Sequence, residues 1–297
     1  METNRVAVVG AGAVGCYFGG MLALAGVPVT LIGRPAHIEA IARDGLLLES
    51  QRGDDRIRLA ATTSMDGVRD AHTLLLCVKT LDTETVAREI RPFLSPVSTV
   101  VSMQNGVDNV SRIRAASGIQ AIPVVVYVAA SMAGPGHVKH SGRGDLVLPE
   151  SARALAATFE AAEIPCRLSP AIENELWQKM VMNCGYNAIS ALGRAQYGRM
   201  AKDPRIRALI RRTIAETVAV ARADGVELSE EAMVEAARRL GEAMSGATSS
   251  TAQDIARGKT TEIESLNGYV ARRGAEAGIP TPVNETLCAL VHLLEGK

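Results

Sequence analysis

The chain has 297 residues, 47% hydrophobic and 22% charged, a composition that excludes a disordered chain and a length that holds two domains. Lys and Arg total 32 and Asp and Glu total 32, so nucleic acid and anionic membrane are poor partners on charge grounds. The cysteines (Cys16, Cys77, Cys166, Cys184 and Cys288) are odd in number and lack a CxxC pair. They read as small buried thiols of a reducing compartment, not as a disulfide framework or a metal site.

From Val6 to Gly33 no charged residue occurs, a run long enough to span a bilayer. Six glycines and Pro28 interrupt it, and neither a basic leader nor a small-residue cleavage site frames it. A buried strand–turn–helix–strand is expected instead, in a cytoplasmic protein. Within it, "VAVVGAGAVGCYFGG" places Gly10, Gly12 and Gly15 as G-x-G-x-x-G directly after a strand and at the mouth of a helix. The first glycine permits the tight turn, the second lets a pyrophosphate approach, and the third lets helix and sheet pack closely. The helix N-terminus adds N–H donors and a favourable dipole. The whole turn (Gly10, Ala11, Gly12, Ala13, Val14, Gly15) is therefore assigned to a dinucleotide. A merely structural glycine turn is the alternative.

The second strand ends at "LIGRPAH", with Arg34 where an NAD site would carry a carboxylate. A guanidinium matches a 2′-phosphate in bidentate fashion, so NADP (as NADPH) is the expected cofactor. A solvated strand-end arginine is the plainer reading. Further β-branched runs follow in "AHTLLLCVKT", "STVVSMQNG" and "AIPVVVYVAA". Apolar strands alternating with helical patterns imply a mostly parallel sheet covered on both faces. "GLLLES" with "RIRLAAT", and "GHVKH" with "DLVLPE", read as hairpins added to that sheet. Lys79 and Asn105 fall at strand ends, on the carboxyl edge where open α/β sheets bind ligands. Taken singly they are also consistent with a snorkelling lysine and a simple Asn-Gly turn. His137 and His140 lack the ligand neighbours of a metal centre. Asn109 heads an N-x-S sequon that a cytosolic chain would not use.

After Pro170 the strand signal ceases and helical periodicity takes over. The fold class expected is an α/β Rossmann-type domain over 1–170, binding NADP, followed by an all-α substrate and catalytic domain over 171–297. In "ENELWQKMVMNCGYNAISALG", Lys179, Asn183 and Asn187 lie four apart on one side of an otherwise apolar helix. Asparagine is a poor helix former, so the stripe needs a reason beyond solvation. It suits either a substrate wall or a satisfied polar seam between helices. Further on, Thr261 with Glu264 matches a capping box, while Glu262 has either a dipole role or a chemical one. Ser249 and Ser250 are candidates for helix caps or ligand hydroxyls. The amphipathic helices offer either a homodimer face or a domain core, and the sequence leaves both open.

Taken together, "GAGAVG", "CVKT", "QNG", "KMVMNCGYNAISAL", "SSTAQD", "TEIESLNG" and "GIPTPVN" resemble the ketopantoate reductase (2-dehydropantoate 2-reductase) family across nearly the whole chain. The resemblance implies NADPH-dependent reduction of ketopantoate to pantoate, a step towards pantothenate and coenzyme A. It implies Lys179 as catalytic acid and Glu262 as a cofactor contact supporting that lysine. Asn183 and Asn187 would bind substrate, Ser250 its carboxylate, and Asn105 both nicotinamide and substrate. Arg34 and Lys79 fall on cofactor positions, with Ala129 offering a backbone contact. A lysine partly desolvated on an apolar helix gives up its proton more readily, as a ketone reductase requires. Ala247 and Tyr197 stand where relatives often or sometimes carry Asn. The alternatives are a relative reducing another 2-oxo acid and a non-catalytic NADPH-binding regulator. The related two-domain dehydrogenases of 3-hydroxy acids or glycerol phosphate would read differently around the lysine and lack the "TEIESLNG" context.

Overall fold

The computed structural model describes residues 4–296, and the chain divides into two compact units, Met1–Ile172 and Glu173–Lys297. In the first, β1 (Val6–Val9) leads through the glycine turn into α1 (Ala13–Leu24), β2 (Val29–Ile32) and α2 (Pro35–Asp44). Then come β3 (Leu46–Ser50), β4 (Gly53–Ile57), β5 (Ala60–Thr62), β6 (Thr73–Leu76), α3 (Thr83–Ile90), β7 (Thr99–Ser102) and α4 (Asn109–Ser117). β8 (Ala121–Pro123), β9 (Val125–Gly134), β10 (His137–Pro149), α5 (Arg153–Ala161) and β11 (Cys166–Ser169) complete it.

Six strands form an all-parallel sheet in the order β5-β2-β1-β6-β7-β8. Its central strands are buried on both faces with a period of two. Val6, Val8, Leu75 and Val101 join one core with Phe18 and Leu22 of α1. Ala7, Val9, Leu74, Leu76 and Val100 join another with Val86, Ile90 and Ile113 of α3 and α4. The strand order reverses between β1 and β6, so the ligand crevice of such a sheet falls at their carboxyl ends.

The two expected hairpins need correction. β3 does turn into an antiparallel partner, but that partner is β4 over Gly53–Ile57, while Ala60–Thr62 belongs to the edge of the parallel sheet. "GHVKH" and "DLVLPE" do not pair with each other. They are the two ends of the single strand β10, which pairs antiparallel with β9. Register shifts flank Gly142 and Gly144, so bulges let one long strand bend where a turn was expected. "AIPVVVYVAA" likewise splits, β8 closing the parallel sheet and β9 entering a second one. That second sheet, ordered β11-β10-β3-β4 with β9 also on β10, was not foreseen.

The second unit is helical: α6 (Ile172–Gly193), α7 (Tyr197–Lys202), α8 (Pro204–Ala223), α9 (Glu230–Ala243), α10 (Ser250–Ala256), α11 (Asn267–Ala277) and α12 (Pro282–Leu294). Glu173 and Glu175 favour the N-terminal dipole of α6, and left-handed Arg194 at φ 45° follows its end. At Gly185 α6 packs against Ile210 and Ile214 of α8, where a Cβ would make ordinary van der Waals contact at 3.4 and 3.7 Å. The Tyr186 hydroxyl donates to the Ala237 carbonyl of α9 at 2.8 Å. Asn267 donates to the Cys184 carbonyl at 3.2 Å, fixing the start of α11 on α6. Among the described residues no helix is long and apolar enough to cross a membrane.

The expected capping box is absent. The Thr261 hydroxyl accepts from Ile263 N at 3.2 Å, but Thr261 N donates to Glu295 at 2.6 Å and not to Glu264. A 3-10 turn, Ile263–Ser265, occupies the place of a first α-turn.

The α12 N-terminus is held by a carboxylate from α8: Glu216 accepts from Val283 N and Asn284 N at 2.9 Å each, and from the Asn284 side chain at 2.7 Å. Replacing it orphans donors that Pro282 cannot supplement. Glu216→Ala is expected to cost about 1–3 kcal/mol in urea unfolding. An unshifted midpoint would mean that solvent caps the helix equally well.

Candidate active site

In the first unit the crevice is shaped by backbone contact. Gly10 has φ +110°, and a Cβ there would lie 2.7 Å from the carbonyl carbon of Cys77, the residue just past β6. At Gly15 a Cβ would fall 2.1 Å from the Gly10 oxygen, so only glycine lets α1 start this close to β1. Gly12 is different: a Cβ there meets nothing within 4 Å. No side chain caps α1, whose N-cap is Gly12. Open space above one glycine, beside an uncapped helix start, fits a dinucleotide pyrophosphate.

The other crevice residues gather around that turn. Gly33 packs on Ala11, where a Cβ would come within 2.5 Å of the alanine methyl, and exposed Arg34 follows as the N-cap of α2. Lys79 stands two residues beyond Cys77 and is half-buried. Its neighbour Thr80 donates to the Asn105 carbonyl at 3.0 Å, which ties the loops after β6 and β7 together. Ala129 lies elsewhere, on β9 opposite Gly142 in the second sheet.

Sequence reasoning missed what holds Asn105. Gln104 donates to the Val78 carbonyl at 3.1 Å and to Thr83 Oγ1 at 2.6 Å, and accepts from Ser102 Oγ at 3.1 Å. Thr83 passes its proton side to Asn109 at 3.2 Å, and Asn109 donates to the Asn105 carbonyl at 2.6 Å. Asn109 is 3% exposed, so the sequon residue is a buried strut. The amide in "SMQN", directly before a candidate residue, was the available signal. His137 pairs with Glu49 at 3.0 Å, and His140 stacks on Tyr17 with ring centroids 4.4 Å apart. Burial pushes the Cys16 thiol up to about 12, so it is an unreactive filler.

In the second unit, the α6 stripe passes from half-buried Lys179 and Asn183 to Asn187, 4% exposed. Asn187 is anchored twice. Its Oδ1 accepts from the Tyr197 hydroxyl at 3.4 Å, and its carbonyl accepts from Ser249 Oγ at 3.0 Å. Burial first, with Tyr186 adding to it, pushes the Tyr197 hydroxyl up to about 12, so it remains a donor at neutral pH. Ser249 also caps α10, accepting from Ala252 N at 3.0 Å, which sets exposed Ser250 at the helix start beside the stripe. Between the two serine readings, Ser249 is thus the cap. Tyr197 N donates to the Ala247 carbonyl at 2.9 Å, so the two unusual positions are bonded neighbours. Half-buried Glu262 precedes the 3-10 turn that Asn267 fixes to α6.

A parallel sheet with this switch point and glycine turn, followed by an all-helical unit, defines a Rossmann-type oxidoreductase architecture. The family description "Ketopantoate reductase PanE/ApbA" matches residues 6–153, and "Ketopantoate reductase PanE/ApbA C terminal" matches 171–295. The 2-dehydropantoate 2-reductase of Halobacterium salinarum is 33% identical over 98% of this chain and 99% of its own, and that of Archaeoglobus fulgidus 31% over 99% of each. The crystal structure of a PanE/ApbA family ketopantoate reductase from Ralstonia eutropha superposes with TM-score 0.93 at 46% identity, covering 98% of both chains. D-mandelate dehydrogenase, solved with NADH and anilino(oxo)acetate, shares the fold with TM-score 0.93 at 24% identity and the same coverage. The chain belongs to the ketopantoate reductase family.

Gln104 yields a direct test of the crevice frame. Gln104→Ala leaves two hydroxyls and a carbonyl without their buried partner. The expected cost is about 1–3 kcal/mol by urea unfolding. A midpoint equal to the parent's would show the network to be incidental.

Proposed function

We propose that the chain catalyses NADPH-dependent reduction of ketopantoate to pantoate. The observation that carries this reading is a single ammonium among amides on the apolar helix α6, in a chain that matches 2-dehydropantoate 2-reductases end to end. The glycine turn (Gly10 to Gly15), Lys79 and Asn105 hold the dinucleotide, with Arg34 on the 2′-phosphate and Ala129 offering a main-chain contact. NADPH supplies the hydride to the 2-oxo carbon when bound.

The remaining steps belong to the protein. Asn183, Asn187 and Ser250 bind the substrate's hydroxyl and carboxylate, and Asn105 orients the reacting carbonyl. Lys179 Nζ delivers a proton to the carbonyl oxygen as charge develops there, and recovers one from water afterwards. Hydrogen bonds aimed at that oxygen contribute about 3 kcal/mol. Glu262 supports the ammonium and contacts the cofactor. A neutral amide wall suits this task, because it orients an anionic substrate without competing for the proton. The cysteines are all free thiols, which fits a reducing, cytosolic setting.

The Tyr197–Asn187 bond favours one second reading, in which the substrate is a different 2-oxo acid, because it engages an amide oxygen otherwise free to meet substrate. The two readings separate in a steady-state assay of ketopantoate beside 2-oxoisovalerate and other 2-oxo acids. Ketopantoate should give the highest kcat/KM, and a higher value for another 2-oxo acid transfers the assignment.

Lys179→Ala should lower kcat by about 10²–10⁴-fold while NADPH affinity stays near the parent value. Undiminished turnover would mean that the proton comes from elsewhere. NADPH should be used in preference to NADH, and Arg34→Ala should reduce that preference about tenfold or more, as expected for a lost charge-assisted bond. Equal use of both cofactors by the parent enzyme would remove Arg34 from the 2′-phosphate.

A further inference from the structure

The reading of the cysteines as inert thiols fails to explain Cys288. It is buried on α12 one helical turn before His292, so both side chains lie on the same side of the helix. The 3-10 turn Ile263–Ser265 brings Glu264 against them. Glu264 Oε2 lies 2.9 Å from His292 Nε2 and 3.7 Å from Cys288 Sγ, and the three candidate ligand atoms fall within 4.8 Å of one another. We propose that Glu264, Cys288 and His292 form a zinc site that clips this turn to the C-terminal helix.

Four observations support the assignment. The spacing is that of a coordination sphere: zinc bonds of about 2.3 Å to sulfur and 2.0–2.2 Å to nitrogen or oxygen, at tetrahedral angles, separate S and O by about 3.6 Å and N and O by about 3.3 Å. The two separations from Glu264 Oε2, 3.7 Å to sulfur and 2.9 Å to nitrogen, lie near those values, and the Cys288–His292 pair lies within 4.8 Å, so side-chain rotation can close the sphere on a metal.

The surroundings supply the outer shell that a zinc histidine requires. His292 Nδ1 faces Glu295 Oε2 at 3.2 Å, and Glu295, whose side chain is 3% exposed, is itself held by Thr261 N at 2.6 Å. A carboxylate on the far ring nitrogen fixes the tautomer and directs the other nitrogen to the metal. Arg272 does not compete for the ligand oxygen. It pairs with Glu264 Oε1 and donates to the Glu264 carbonyl at 3.1 Å, leaving Oε2 turned towards Cys288 and His292.

Room and charge also fit. Position 268 is glycine, and a Cβ there would stand 3.0 Å from Glu264 Oε2 and 3.2 Å from Cys288 Sγ, so any other residue would crowd the pair. With a thiolate and neutral imidazole, Zn²⁺ and Arg272 balance Cys288, Glu264 and Glu295, giving a local charge of zero. Binding displaces the thiol proton to solvent as the sulfur–zinc bond forms. Thiolate, imidazole and carboxylate together select zinc over calcium or magnesium, and His292, 31% exposed, leaves an entry path. Three protein ligands leave a fourth position for water.

The test uses the full chain, stripped of metal and titrated with Zn²⁺ and, separately, Co²⁺. One equivalent of zinc should bind and raise Tm, and the Co²⁺ form should show a thiolate-to-metal charge-transfer band. Cys288→Ser and His292→Ala should each abolish the band and the zinc-dependent Tm shift. Glu295→Gln should weaken zinc binding about 10–100-fold, as the loss of an outer-shell partner does. Cys166→Ser, in the other unit, should change neither readout. Circular dichroism confirms that each variant is helical, and a misfolded Cys288→Ser is replaced by Cys288→Ala. No saturable zinc binding, or a cobalt band that survives the Cys288 and His292 changes, overturns the proposal.

Discussion

The first unit depends on one place where backbone meets backbone. Past the carboxyl end of β1 the chain turns against the Cys77–Val78 peptide just beyond β6, so closely that Gly10 cannot carry a side chain. This contact lies where the strand order reverses, so the tight turn and the crevice occupy one location for one reason. Gly15 beneath the Gly10 carbonyl and Gly33 against Ala11 repeat the constraint on either side. Lys79 then emerges two residues past the contact, and Arg34 one residue past Gly33. Their placement follows from the sheet and needs no special loop. Asn105 does need one, and the Gln104–Thr83–Asn109 network provides it by satisfying each buried polar group in turn.

The helical unit faces the opposite difficulty, that of keeping polar groups on a helix whose surroundings are apolar. A buried amide without partners costs several times what a satisfied one contributes. Asn187 meets this cost through Tyr197 and through Ser249, which also caps α10. Lys179 and Asn183, further towards the start of α6, keep part of their surface exposed. The stripe therefore changes from accessible to anchored along two turns of one helix.

Which features could be read from the sequence depended on the range of the interaction. The glycine turn was legible because its requirements lie within six residues, and the α6 stripe because helical spacing is local. The parallel sheet was legible from continuous apolar strands. The second sheet was not, since β10 finds its partners in β3, β9 and β11, and its internal Gly142 and Gly144 imitate the punctuation of a turn. The capping box failed for a related reason. Thr261 and Glu264 have the right spacing, but Glu295, 34 residues on, claims Thr261 N, and Arg272, eight residues past Glu264, claims that carboxylate. Dismissing the cysteines as fillers was sound for Cys16, which packs among apolar side chains. Cys288 is buried too, but it has polar company that the sequence did not show, Glu264 Oε2 lying 3.7 Å from its Sγ.

The departures at Ala247 and Tyr197 acquire a different meaning once placed. In the sequence they are fifty residues apart and look like two independent losses of asparagine. In the fold a backbone hydrogen bond joins them, the chain from Ser245 to Ala247 lying along the start of α7. Tyr197 then turns its hydroxyl to Asn187, so a change at one position is felt at a residue of the stripe itself. The phenol supplies a donor but no amide, and it reaches the stripe from a buried ring tilted against Tyr186, at 4.6 Å between centroids. What varies here is therefore a single wall, made from α7 and the loop before α10, that meets the anchored end of the stripe. Lys179 lies two turns away along α6 from that end, so under the proposed reaction substrate fit can change at this wall while the proposed proton donor keeps its place.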